Sequence, residues 1–298
     1  MPTIQPRVLL ALALSASVSA PMEARAQERP TERVFSEQFD VGPGGTLRVD
    51  VPDGDVTVDT WSGGGVEVEV FLSSRDMEWA TEMYQRMEFA AGAEGSTVRV
   101  TARNPQIQRS EWGRNRGFGI AVHIKVPQQF DADIRTSDGD IRLGDLNGSL
   151  WLDTSDGDVD LGHIEGPEVE IETSDGDVTA LAVHAERTTI RTSDGDIDIE
   201  SATGSFEATT GDGDIDVHVD AVDGVRLRTG DGDITLYVPA TLAATVDFDG
   251  EDLDVARSFA ITGRINRRRV QGDINGGGVR LEASTGDGSI SLRQSSAR

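Results

Sequence analysis

The sequence predicts an all-β protein: a single-domain β-solenoid of 18–19-residue coils, with one amphipathic helix near its N-terminal end. The first observation behind this is a tandem repeat. Thr-Ser-Asp-Gly-Asp begins at Thr136, Thr154, Thr173 and Thr192, and becomes Thr-Gly-Asp-Gly-Asp at Thr210 and Thr229, with spacings of 18, 19, 19, 18 and 19. The second is strict alternation on both sides of each motif, as in Val159-Asp160-Leu161 and Ile197-Asp198-Ile199 after it and Leu150-Trp151-Leu152 before it. Period-two alternation marks strands with one face buried. The third is the composition: 34 Gly, no Cys and 37% hydrophobic residues. That excludes a disulfide framework, a thiol nucleophile and a thiolate metal site.

The elements follow in chain order. Residues 1–26 read as a signal peptide: Arg7, a 13-residue apolar run from Val8 to Ala20, and Ala24-Arg25-Ala26 as the cleavage signal. The run is short for a membrane span. No Cys follows to carry a lipid, and no later stretch is apolar enough to cross a bilayer. The mature chain is therefore expected to be exported, to the periplasm, the cell surface or the medium.

Residues 27–129 read as an N-terminal β part. Val66–Phe71 and Thr97–Thr101 alternate as strands. Between them Met77, Ala80, Met83, Tyr84, Met87 and Ala91 fall at helical spacing, which predicts a helix over 76–91. Ser73 with Asp76 resembles a capping box. The helix is expected to pack on, or cap, the early strands, because an open solenoid end is an unpaired edge. Asn104–Gly119 reads as a polar loop with Arg109, Arg114 and Arg116, and Ile120–Val126 as a strand stopped by Pro127.

Residues 130–250 form the repeat solenoid. Each coil reads as strand, Asp-Gly turn, strand, looser turn. Gly139, Gly157 and Gly176 are expected to supply the positive φ of a tight turn. The near-constant period favours a solenoid over an antiparallel meander. Equivalent positions then stack about 4.8 Å apart, and six coils rise about 30 Å. Residues 251–298 read as degenerate coils continuing the column; Thr285-Gly286-Asp287-Gly288 is a late echo and Asp249-Gly250 falls on period.

The whole chain carries 27 Lys and Arg against 53 Asp and Glu, a net charge of -26. The excess is concentrated, with 6 basic and 30 acidic residues in 130–250. Such a field repels nucleic acid and anionic polysaccharide. Two Asp ladders are the candidate metal ligands: Asp138, Asp156, Asp175, Asp194, Asp212 and Asp231, and Asp140, Asp158, Asp177, Asp196, Asp214 and Asp233. Carboxylates and turn carbonyls suit calcium. Against this, an Asp beside Gly in a turn often accepts local backbone N–H groups, and the spacing departs from the calcium-binding nonapeptide G-G-x-G-x-D-x-U-x. No other cofactor is indicated.

No catalytic set stands apart from the repeats. His123, His163, His184 and His218 lack paired ligand spacing, and the turn serines have no His at a repeating offset. Trp151 should face outward, either to meet a partner or to cover a neighbour. Arg264, Arg267, Arg268 and Arg269 form a basic cluster suited to anionic lipid or to the protein's own carboxylates.

Trp61-Ser62-Gly63 with Val66–Phe71, the single helix, Ile124-Lys125-Val126-Pro127 and the tandem Ser-Asp-Gly-Asp motifs resemble the DUF4097 family of exported, adhesin-like β-repeat proteins, over roughly residues 33–293. The resemblance implies a β-solenoid and brings no catalytic residues with it. A second Asp after each Gly makes this chain unusually acidic beside that pattern. The expected function is that of an exported, non-enzymatic envelope or cell-surface scaffold of adhesin-like type, presenting regular ladders to a protein or glycan surface. Self-association through the solenoid ends is a further expectation. The alternatives are a carbohydrate-binding or carbohydrate-active β-helix, and a calcium-dependent secreted β-roll.

Overall fold

The structure, a computed structural model, describes residues 30–103 and 118–295. The expected signal peptide at 1–26 and Arg109, Arg114 and Arg116 lie outside the described residues. The chain is a β-solenoid, a continuous sheet wrapped around one apolar column.

The central coils show how the sequence builds it. They run through β8 (Phe130–Arg135), β9 (Ile141–Leu143), β10 (Leu146–Asn147), β11 (Leu150–Asp153), β12 (Val159–Glu172), β13 (Val178–Arg191), β14 (Ile197–Thr209) and β15 (Ile215–Arg228). In β12 the residues Val159, Leu161, Ile164, Val169 and Ile171 are buried, and Asp160 and His163 face out. One strand thus bends through a corner and lines two walls. Val159, Val178, Ile197 and Ile215 stack in parallel register on the first wall. On the second, Val169, Thr188, Phe206 and Val225 stack likewise. A single coil cannot bury its apolar row alone, so each depends on its neighbours.

The turns between coils are built around a buried threonine. Thr173, Thr192, Thr210 and Thr229 are each less than 9% exposed. The Thr192 hydroxyl accepts the Gly195 N–H at 3.2 Å and donates to the Gly176 carbonyl one coil earlier at 3.3 Å. Thr210, Thr229 and Thr285 repeat both contacts. The turn glycines are needed for close approach, not for positive φ, which corrects the expectation above. Gly139, Gly157 and Gly176 are not among the positive-φ residues. A Cβ on any of them would collide with the carbonyl oxygen of the glycine one coil earlier.

The two ends are closed by a device the sequence order hides. The N-terminal part contains β1 (Thr31–Phe39), β2 (Gly45–Asp50), β3 (Gly54–Trp61), β4 (Val66–Ser74), α1 (Met77–Arg86), β5 (Ala90–Glu94), β6 (Thr97–Thr101) and β7 (Phe118–Pro127). β2 lies between β6 and β8, and β3 between β7 and β9. The later excursion β4–α1–β5–β6–β7 therefore forms the outer end. The C-terminal part mirrors this with β16 (Ile234–Val238), β17 (Ala244–Asp249), β18 (Asp252–Val255), β19 (Ile261–Ile265), β20 (Arg269–Ile274), β21 (Val279–Ser284) and β22 (Ser289–Gln294). β21 sits between β15 and β17, and β22 between β16 and β18. The expectation that residues 251–298 simply continue the column is thus corrected: the last coil is inserted before β17 and β18. Its Thr-Gly-Asp-Gly turn matches the one at Thr229, so Gly286 N–H bonds to the Gly230 carbonyl at 2.7 Å.

The helix is shorter than the predicted 76–91. Asp76 is its N-cap and accepts the Trp79 N–H at 3.1 Å. Ser74, not Ser73, supports the cap by accepting the Asp76 N–H at 3.1 Å. Glu88 takes a φ of 49°, which breaks the helix. Ala90–Glu94 then pair antiparallel with β6, so a strand edge overrides the helical spacing of Ala91. Trp79, Ala80 and Met83 are buried at this end of the core.

Two threonines give a matched test. Thr188 is 1% exposed inside the column, and its hydroxyl has no partner among the described residues. Thr188→Val should raise stability by about 1 kcal/mol, whereas Thr192→Val strands the Gly195 N–H and should lower it by about 1–3 kcal/mol. Urea unfolding midpoints of the two variants check the opposite signs.

Candidate functional site

Three outward features are candidates: the turn column, a groove on the first wall, and the basic cluster at the C-terminal end.

The two Asp ladders behave differently. In the second, Asp140, Asp158, Asp177, Asp196 and Asp214 each use Oδ1 to accept the backbone N–H of the equivalent Asp one coil later, at 2.7–3.3 Å. Asp233 accepts the Ser289 N–H at 2.7 Å, which extends the series into the inserted coil. In the first ladder Asp138, Asp156, Asp175, Asp194, Asp212 and Asp231 are exposed. Their backbone N–H groups are engaged instead; Asp194 N–H, for example, bonds to the Ser174 carbonyl at 2.9 Å. Among the described residues no three His, Asp or Glu side chains come together closely enough to hold a metal ion.

The histidines take separate places. His123 packs against Phe71, and His163 Nδ1 lies 2.9 Å from Asp145. The His163 backbone and ring together hold the Asp145 carboxyl below its ordinary range. His184 Nε2 meets Ser201 Oγ at 2.9 Å, and Ser201 donates to Asp220 at 2.6 Å. This trio spans three coils. Within this trio the carboxylate contacts the serine rather than the imidazole, unlike the Asp–His pairing of a hydrolytic triad. His218 stacks on Tyr237 at 3.9 Å.

Trp151 is half-buried under the Arg135 guanidinium, 4.1 Å from its ring centre, so it covers a neighbour. The basic cluster also turns inward on the protein's own charge. Arg267 pairs with Asp252, Arg268 with Glu251, and Arg269 with Asp247 and Asp249 at 3.2–3.7 Å. Arg264 is exposed on β19.

The groove was not picked out from the sequence. It has a volume of about 520 Å³ and crosses five coils of the first wall, between the rows that start at Thr57 and Asp59. Gly144 and Gly162 leave a trough in the second row, because a glycine projects nothing outward. Leu181, 50% exposed, forms the wall beside it. Asp160, Asp198 and Glu200 line the same stretch, with Arg142. Arg142 is already shared between Asp140 at 2.9 Å and Asp160 at 3.5 Å. Partial burial, then repulsion from Asp216 and Glu200, push the Asp198 carboxyl above its ordinary range. The signal available in the sequence was the fourth residue after each turn, which reads Gly, Gly, Leu, Glu in successive coils.

The model of the family described as Toastrack DUF4097 matches residues 47–293. Among solved structures, an adhesin candidate from Bacteroides fragilis is 12% identical, over 88% of this chain and 97% of its own, with a TM-score of 0.48. A candidate lipid-binding protein from Parabacteroides distasonis is 11% identical, over 89% and 97%, with a TM-score of 0.49. An adhesin candidate from Parabacteroides merdae is 11% identical, over 91% and 98%, also at 0.49. No curated protein matches the chain.

Two predictions follow from the carboxylates. Asp196→Ala removes the acceptor for the Asp214 N–H and should cost about 1 kcal/mol, while Asp194→Ala should stay within about 0.5 kcal/mol. Chemical denaturation of both variants checks the difference. Asp198 binds its proton more tightly in the folded state, so its contribution is favourable in acid and is lost as pH rises through its folded pKa. Asp198→Asn should therefore raise Tm at pH about 7, and the gain should fade below the ordinary carboxylate range; melting curves across pH read this directly.

Proposed function

Given that the chain belongs to the Toastrack DUF4097 family, we propose that it is an exported, non-enzymatic envelope or cell-surface scaffold of adhesin-like type. The carrying observation is the regular stacking of outward side chains in parallel register, coil after coil. A surface of this kind offers a partner many equivalent contacts at one fixed spacing. Many of its carboxylates serve the fold: the second Asp ladder holds backbone amides, and Asp247, Asp249, Glu251 and Asp252 hold arginines. No helix of the described residues is long and apolar enough to cross a membrane. Residues 1–26 direct export and are removed, which places the mature chain outside the cytoplasm. Its partner is a protein or glycan surface, with an elongated site matched to the wall.

The test has two arms. In cell fractionation the full chain should appear outside the cytoplasm, cut after Ala26, and a variant lacking residues 1–26 should stay inside. The purified mature chain should bind envelope or glycan surfaces while turning over no polysaccharide. Retention of the full chain in the cytoplasm, or polysaccharide turnover, would overturn the reading.

A further inference from the structure

The second wall ends in two open strand edges, one at each end of the column. Its strands lie in the order β5–β6–β2–β8–β11–β12–β13–β14–β15–β21–β17–β20–β19. Among the described residues β5 pairs only with β6, and β19 only with β20. Both edge strands overhang the apolar column: only Ala91 on β5 and only Ile261 on β19 are half-buried, and the rest are exposed. The first wall ends on β1 and β18, and its edges are guarded. β1 breaks register between Arg33 and Phe35 and carries Glu32, Arg33 and Glu37. β18 is four residues long and carries Asp252 and Asp254. Irregularity and charge are the usual protection of an edge. β5 (Ala-Ala-Gly-Ala-Glu) and β19 (Ile-Thr-Gly-Arg-Ile) carry one charge each.

The two edges complement one another. Glu94 on β5 and Arg264 on β19 are exposed, and neither forms an ion pair among the described residues. Ile261 and Ile265 stand opposite the buried Ile274 and Val270, so they share the inward face, where Ile265 is 61% exposed. Ala91 and Ala93 stand opposite the buried Val100 and Val98 on the same face at the other end. Large apolar residues at one edge thus match small ones at the other. The strand directions agree as well. The strands from β6 through β21 to β17 run parallel, β5 runs against them, and β19, after two reversals, runs with them. Two copies stacked in the same sense along the axis therefore bring β19 of one beside β5 of the next as an antiparallel pair. Joining β19 to β19 would set Arg264 against Arg264, and joining β5 to β5 would leave both isoleucines exposed.

We infer that the chain assembles end to end, the β19 edge of one copy adding to the β5 edge of the next and continuing the second wall from molecule to molecule. The contact is heterologous, so it does not close on itself and gives open chains. Five residues on each strand make a small joint, which places association in the micromolar range or weaker.

Sedimentation velocity of the mature chain between about 10 µM and 0.5 mM tests this. The weight-average sedimentation coefficient should climb with concentration through dimers to longer species. Ala93→Lys and Ile265→Lys each place a charge on the inward side of one exposed edge. Each variant alone should stay monomeric, and an equal mixture of the two should form 1:1 dimers and nothing longer, because each supplies the edge the other has lost. Dimer formation in the mixture also reports that both variants are folded. Glu94→Arg should weaken assembly about threefold or more, and adding Arg264→Glu should restore it. A wild-type chain that stays monomeric at about 0.5 mM, a single lysine variant that still associates, or a mixture that does not associate would each overturn the inference. So would a double charge reversal no better than the single one. None of these outcomes bears on export or on binding to envelope or glycan surfaces, so the scaffold reading stands or falls separately.

Discussion

Everything in this molecule depends on how closely one coil can lie on the next at the Asp-Gly corner. The glycine carbonyl of each coil points into the space that a side chain would need on the glycine above it. Only glycine permits that approach, and the approach brings the Thr, Gly and Asp partners of adjacent coils into hydrogen-bond range. Threonine completes the corner from inside the core, with its hydroxyl joining two coils. The second Asp completes it from outside, by accepting the next backbone amide. The charge this stacks up is affordable on magnitudes. Carboxylates about 4.8 Å apart repel by about 0.9 kcal/mol in water before screening. A hydrogen bond to a charged acceptor contributes about 1.5–3 kcal/mol. The ladder gains more from its bonds than it loses to repulsion.

A column held by neighbour contacts is weakest at its ends, and here the coils of β2–β3 and β21–β22 lie inside it rather than at its ends. β2 and β3, near the start, and β21 and β22, near the finish, each have partners on both sides. The true ends switch to antiparallel pairing: β1 with β4 and β5 with β6 on one side, and β19 with β20 on the other. The helix fills the first excursion, and the arginine pairs of β20 and the loop before it brace the second. Enclosing β2, β3, β21 and β22 limits fraying, while the edges that remain are short or carry charge.

Much of this was legible in the sequence, and what was missed has a common cause. Parallel stacking, the inward rows and the turn positions all follow from an 18–19-residue period with alternation. Those are local signals that every coil repeats. The insertion of β21 and β22 before β17 and β18 is long-range, and only the likeness of the Thr285 turn to the Thr229 turn hints at it. The helix was overextended because Ala90 and Ala91 suit either state, and pairing with β6 decided between them. The turn glycines were rightly singled out for a different reason from the one the structure supplies. For Trp151 and the Arg267–Arg269 cluster the sequence left covering or pairing within the chain beside contact with a partner, and Arg135 and Asp247–Asp252 decide for the former. The groove escaped notice because it is defined by what Gly144 and Gly162 lack.

Residue-resolved hydrogen exchange on the mature chain tests the central claim, that corner-to-corner bonding and the inserted β21–β22 coil hold the column. The account predicts that the amides of β3 and β22 are protected as strongly as those of β13 and β14, with β5, β18 and β19 exchanging first. Exchange that begins at β22 or β3 and moves inward along the chain would contradict it.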